Sequence, residues 1–287
     1  MSTATGQLAW AEGRRLVRNP VLWVSFLLLV PWVRVSRRSS EAENGLILLV
    51  GYGLIIPGLV MVVATVFAVL RARIEHTEPL LSTLAVGPDR RSTGHAVAAL
   101  AGGAVGLLLM AVLVLTIGRR DPLGVWESER RPITVPRPNV AQLLQGPFAI
   151  VMLLVFVVAL VRWVPTWLVI VPITFAMLIQ ATFLGAFHSV PTDGGRWLIP
   201  LNTGVVHSEW KGTCLDDSPC YIDVSGFDGR TAWWHLGYLA SLAVWLGTVA
   251  VLRHRRDHVT WMWFAASLVA VIAFAAVQIA TADAYSG

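Results

Sequence analysis

The sequence predicts an all-α, polytopic integral membrane protein. Three observations carry that reading. The 287 residues are 56% hydrophobic, with a mean hydropathy of +0.67. Only 14% are charged, where a soluble domain carries about 25%. The charges are clustered and leave long uncharged runs, as lipid demands when a charge at the bilayer centre costs about 2.5 kcal/mol or more. A hydrocarbon layer about 30 Å thick takes about 20 helical residues. About seven spans fit the chain, with six as the alternative. They form one transmembrane domain at 20–280, after an N-terminal segment at 1–19 and before a tail at 281–287.

Residues 7–18, QLAWAEGRRLVR, mix Leu8, Trp10, Leu16 and Val17 with Glu12, Arg14, Arg15 and Arg18. That mixture predicts a cytoplasmic, interfacial amphipathic helix with apolar groups in the headgroup layer and arginines beside phosphates. The span at 20–33 is short at about 14 residues. Trp23 and Trp32 suit its two interfaces, and Arg34 can snorkel. It lacks a small-residue cleavage site and is expected to act as an uncleaved insertion signal.

Further spans follow at 46–70, 96–117, 147–161, 167–187, 235–252 and 259–280. Only Arg162-Trp163-Val164-Pro165-Thr166 separates the third and fourth of these. Pro165 breaks a continuous helix, and roughly forty residues exceed one span, so two helices joined by a tight turn are expected. Residues 118–146 contain four prolines and 188–232 both cysteines; each reads as an ordered extracytoplasmic loop. Trp163, Trp167, Trp233, Trp234, Trp261 and Trp263 fall at span ends, as in an aromatic belt.

Arginine bias does not orient the chain by count. With the N-terminus inside, Arg14, Arg15, Arg18, Arg71, Arg73, Arg90, Arg91, Arg162, Arg253, Arg255 and Arg256 fall inside, half of the 22 basic residues. Two arguments favour a cytoplasmic N-terminus. The cluster Arg253-His254-Arg255-Arg256 is pinched between two spans on that side, and the two longest loops, whose charge matters less, fall outside. A net charge of +5 carried in short loops points to lipid interfaces, not to nucleic acid.

The six longer spans hold no Asp, Glu, Lys or Arg, which argues against ion coupling within the membrane. A P-loop needs Lys before Ser or Thr, and the single lysine, Lys211, precedes Gly212. No nucleotide-binding or hydrolytic motif is present, so the chain is not expected to be an enzyme, and Ser208-Glu209 has no supporting pattern. Cys214 and Cys220 are expected to close a short disulfide on an oxidising outer face. His188, His207, Glu209 and His235 match no common zinc spacing, so neither a metal nor a cofactor is expected.

The segment 71–95, RARIEHTEPLLSTLAVGPDRRSTGH, opens charged, presents Leu80, Leu81, Leu84 and Val86, and turns at Gly87-Pro88-Asp89. With Arg14-Arg15-Leu16-Val17-Arg18-Asn19-Pro20 and the stretch Trp234-His235-Leu236-Gly237-Tyr238-Leu239 leading to Arg253-His254-Arg255-Arg256, it resembles the permease subunits of ABC-2 type exporters, especially actinobacterial ones. The resemblance covers most of the chain by layout and is specific in these patches; the common family pattern has six spans, not seven. It implies a bacterial plasma-membrane permease, working by alternating access as a homodimer or heterodimer with a separate ABC ATPase subunit. It makes 71–95 a cytoplasmic coupling segment in which Glu75, Thr77, Glu78, Leu80, Leu81, Thr83 and Leu84 dock on that ATPase. The competing expectation is a non-transporting membrane protein such as a sensor, an assembly factor or an immunity factor.

Overall fold

The computed structural model describes residues 3–27, 55–76, 87–117, 124–125, 133–134, 140–164, 166–176, 198, 200, 212–213, 219–220 and 231–283. Its body is helical: α1 (Thr3–Val17), α2 (Pro20–Leu27), α3 (Ile55–Ile74), α4 (Pro88–Ile117), α5 (Val140–Trp163), α6 (Trp167–Ala176), α7 (Thr231–Leu252) and α8 (His258–Asp283). Four helices among the described residues are long and apolar enough to cross a membrane, over Pro88–Val112, Val140–Trp163, Ala232–Leu252 and His258–Thr281. The described parts of α3 and α6 are shorter apolar helices, Pro57–Arg71 and Trp167–Ala176.

Several boundaries differ from the sequence expectation, for identifiable reasons. The 71–95 segment is not one connection. α3 continues through Arg71 to Ile74, and α4 begins at Pro88. Proline suits the first helical position because its missing N–H is unused there and its φ is already helical. Gly87 stands before it and its carbonyl accepts from the Arg91 N–H at 3.1 Å. At 30 residues α4 is about 45 Å long, so one end outruns the hydrocarbon. α5 starts at Val140 and runs through Pro147, where a span start was expected. A proline inside a membrane helix is tolerated where a neighbour packs against it. Here Gly106 of α4 approaches the Pro147 Cα, and an added Cβ would lie 3.3 Å from it.

A helix break between Trp163 and Trp167 follows the expected pattern. α5 ends at Trp163, and the Thr166 hydroxyl then caps a 3₁₀ turn by accepting from the Leu168 N–H at 3.3 Å. Two antiparallel strand pairs, β1 (Gly124–Val125) with β2 (Ile133–Thr134) and β3 (Gly212–Thr213) with β4 (Pro219–Cys220), lie in the two long loops. The sequence had signalled neither pair.

Helix α5 is the centre of the bundle and α8 its outside: 72% of the most apolar stretch of α5 is buried, against 11% for α8. α5 packs on α3, α4 and α7, and α8 packs on α7. The α4–α5 contact is made by glycine. A Cβ at Gly102 would lie 2.4 Å from Leu154 Cδ1, and one at Gly103 would lie 2.4 Å from Val151 Cγ2. Small residues spaced this way let two membrane helices approach closely enough for dispersion to hold them, since lipid supplies no hydrophobic drive between helices.

Helix α1 lies alongside the first turns of α4, with Leu8 against Gly94 and Gly13 against Ala101. Its buried face is Thr5, Ala9, Glu12 and Gly13. The apolar set expected to meet lipid is therefore divided: Leu16 and Val17 join the core, while Trp10 is 72% exposed.

Candidate functional site

The described helix ends sort by charge. Trp163, at the end of α5, donates its Nε1–H to the Val249 carbonyl of α7 at 3.1 Å and stacks under the Arg253 guanidinium at 5.4 Å. His254 feels Arg162 of α5, Arg253 just past α7, and Arg91 and Asp89 of α4. His95 of α4 feels Arg162, Arg71 and Arg91. The C-terminal ends of α3, α5 and α7 and the N-terminal ends of α4 and α8 thus meet at one basic end. At the opposite end Ala141 and Leu144 of α5 pack with Ala232 and Leu236 of α7.

Burial, followed by repulsion from Arg162, Arg253 and Arg91, pushes the His254 imidazolium pKa down, with Asp89 opposing. Asp257 caps α8: its Oδ1 accepts from the Thr260 N–H at 3.0 Å, and its Oδ2 accepts from Arg255 Nε at 2.8 Å. The hydrogen bonds from the Thr260 hydroxyl and N–H hold its carboxyl pKa down at about 2, with Arg255 adding to the effect. An acceptor at the N-cap meets the open N–H groups and the positive end of the helix dipole.

Glu12 is the one carboxylate among the buried polar residues described. Its Oε1 accepts from Arg15 at 2.7 Å and lies 3.8 Å from Arg71 of α3. Its Oε2 is buried and has no hydrogen-bond partner. A signal for this was present in the sequence: Thr5, Ala9, Glu12 and Leu16 recur at helical spacing, so the acid sits on the inward stripe. Beside it opens a cavity of about 530 Å³ bounded by α1, α2, α3, α4 and α6, edged by Glu12, Arg15, Arg71 and His95 and walled mainly by apolar side chains, with Asn19, Thr65 and Thr174 among them.

Of the expected docking residues only Glu75 is among the described residues. Glu75 is exposed just past α3; its N–H donates to the Arg71 carbonyl at 2.8 Å, and its carboxylate lies 3.8 Å from Arg71 Nε. His76 follows with a left-handed φ of 53°, a conformation that commonly stops a helix. Thr77, Glu78, Leu80, Leu81, Thr83 and Leu84 fall outside the described residues, as does Cys214. Cys220 ends β4, its backbone paired with Gly212. No group of three or more metal-ligating side chains occurs among the described residues.

A second polar group lies within the bundle near the other end. His235 Nδ1 lies 3.2 Å from Gln278 Oε1, joining α7 to α8, and both side chains are fully buried. Gln145 of α5 is also fully buried, and its amide has no hydrogen-bond partner. Composition conceals such residues, since one amide is averaged out over a span of about twenty mostly apolar residues. No protein-family model matches the chain, and no curated protein or solved structure matches it.

Proposed function

We propose that the chain is the permease subunit of an ABC-2 type exporter, moving its substrate outward by alternating access under the power of a separate ATPase. The observation that carries the reading is the position of Glu75 and Gly87. They bracket residues 77–86, and both adjoin helix ends at the basic end of the bundle. The connection therefore starts and ends beside Arg71, Arg91, Arg162 and Arg253, the side that the pinched cluster Arg253-His254-Arg255-Arg256 favours as cytoplasmic. An ATPase acts from that side. Leu80, Leu81 and Leu84 would pack in its groove, while Glu75 and Glu78 would pair with basic groups on it.

Connectivity supports the sevenfold count. α5 ends at the basic end and α7 starts at the opposite one, so a single crossing that begins with α6 would join them. With 20–33 as the first pass and α3 as the second, seven passes leave the N-terminus cytoplasmic in the plasma membrane. Two permease subunits, alike or different, would enclose the pathway.

The test is co-purification with the ATPase encoded beside the permease gene. The expected result is a stoichiometric complex with the native chain and none with Leu80→Asp combined with Leu84→Asp, both preparations remaining monodisperse. Stoichiometric ATPase on the double variant refutes the dock. Absence of any ATPase on the native chain favours the non-transporting class.

A further inference from the structure

We propose that helix α5 is hinged at Pro147, and that its first turns swing away from α7 to open the bundle to water at the end opposite the arginines. This rests on α5 and α7 crossing a bilayer and not on the ATPase dock. Three features of one stretch of α5 carry it.

The first is a pivot. Pro147 has no N–H to donate to the Leu143 carbonyl, so the α5 ladder lacks a bond there, and sharp bends in helices gather at such prolines. Glycines of α4 hold the proline in place: a Cβ at Gly106 would lie 3.3 Å from its Cα, and one at Gly103 would lie 3.6 Å from its carbonyl oxygen. The second is a change of neighbours at the same point. From Ala149 to Val161 the buried hydrophobic residues of α5 belong to the main core. Before Pro147, Ala141 belongs to a separate cluster with Ala232 and Leu236 of α7, and Leu144 and Phe148 pack against it. Two of its three buried members are alanines, so this seam buries little apolar area. α7 is tied to α8 more firmly, by His235 with Gln278 and by Gly237 against Phe274. The seam between the start of α5 and α7 is therefore the weaker of these two contacts.

The third is Gln145. It lies one turn after Ala141 on the same face of α5. It is fully buried, and neither the oxygen nor the nitrogen of its amide has a hydrogen-bond partner. Burying an amide without a partner is costly. That cost falls on the closed arrangement alone, because water meets the amide once the seam parts. The missing backbone bond lowers the resistance to bending, the thin seam lowers the resistance to parting, and the amide favours the parted state. The open form is the minor state of a two-state element, and Gln145 is the polar group that it presents to water.

Right-side-out and inverted membrane vesicles carrying the full chain, without any ATPase subunit, are treated with a membrane-impermeant maleimide, and the label is read by mass spectrometry at the substituted position. Ala141→Cys probes the seam. Val140→Cys is the exposed standard, Ala250→Cys is the fully buried reference in the main core, and the exposed Arg256→Cys marks the arginine face. Ala141→Cys is expected to react at about 0.1–10% of the Val140→Cys rate, the population of a minor state. It is expected to react about tenfold or more faster than Ala250→Cys, and from the face opposite Arg256→Cys. Adding Pro147→Ala, which restores the backbone bond, or Gln145→Leu, which removes the unmet amide, is expected to slow it by about tenfold or more. If Pro147→Ala does not fold, Gln145→Leu carries the comparison. Reaction of Ala141→Cys no faster than that of Ala250→Cys, or only from the arginine face, overturns the opening. Fast reaction that neither substitution slows shows a fraying helix end and overturns the hinge. With no ATPase present, every one of these outcomes is independent of the dock.

Discussion

Replacing Gly103 with alanine places a methyl group 2.4 Å from Val151 Cγ2. Carbon atoms settle at about 3.5–4.0 Å, so about 1 Å must open. Val151 is β-branched and stiff in a helix, and turning it off its rotamer costs about 0.5–1.5 kcal/mol. Separating α4 from α5 instead would loosen Gly102 against Leu154 and Gly106 against Pro147, both on the same interface. Overpacking of this kind costs about 1–3 kcal/mol. Alanine also gains up to about 1 kcal/mol over glycine in a helix, and Gly6→Ala isolates that gain, since nothing lies within 4 Å of its added methyl. Gly103→Ala is expected to fall below Gly6→Ala by about 1–3 kcal/mol in equilibrium unfolding in mixed micelles. Val151→Ala removes the obstructing methyls, so in that background Gly103→Ala is expected to behave like Gly6→Ala. An identical effect of Gly103→Ala in both backgrounds refutes the contact, because residues that touch must couple in a double-mutant cycle.

The α7–α8 contact makes a parallel case: a Cβ at Gly237 would sit 2.4–2.8 Å from three ring atoms of Phe274, so Gly237→Ala is expected to cost about 1–3 kcal/mol, with Phe274→Leu restoring most of it in the same unfolding assay. Glu12→Gln is expected to change stability by under about 1 kcal/mol, since both partner arginines are partly exposed. Arg71→Ala is expected to cost more, because it leaves the buried carboxylate with one fewer counter-charge; the reverse order of their unfolding midpoints would refute the pairing. The His254 pKa is lowered, so its contribution is present above the unfolded value near 6.5 and lost as pH falls through the folded value; His254→Asn is expected to flatten the stability profile below pH about 6.5. Asp257 acts in an acid window, its stabilisation being present above about 3.8 and lost as pH falls toward about 2. Asp257→Asn is expected to remove that acid step from a melting-versus-pH series while preserving part of the cap.

The sequence by itself determined the solvent of this protein. Uncharged runs long enough to cross hydrocarbon follow from composition alone, because lipid penalises charge locally and hydropathy sums locally. The break between Trp163 and Trp167 was equally legible, since a proline's missing N–H and fixed φ act within one turn. Trp163, Trp167, Trp233, Trp234, Trp261 and Trp263, read as span-end residues, are all exposed at or near helix ends. Helix ends were less legible. Pro88 and Pro147 read as boundaries or turns in isolation, yet one opens a helix and the other lies inside one, because a proline's effect depends on which carbonyl and which neighbouring helix face it. Only the tertiary structure decided what the polar residues do. Glu12 reads as one more charge in a basic amphipathic segment until α1 packs on α4 and brings it to Arg71, and Gln145, His235 and Gln278 differ little in hydropathy from surface residues. Pairing across helices depends on which faces meet, and those faces are chosen by close contacts such as Gly103 with Val151, made between residues distant in the chain.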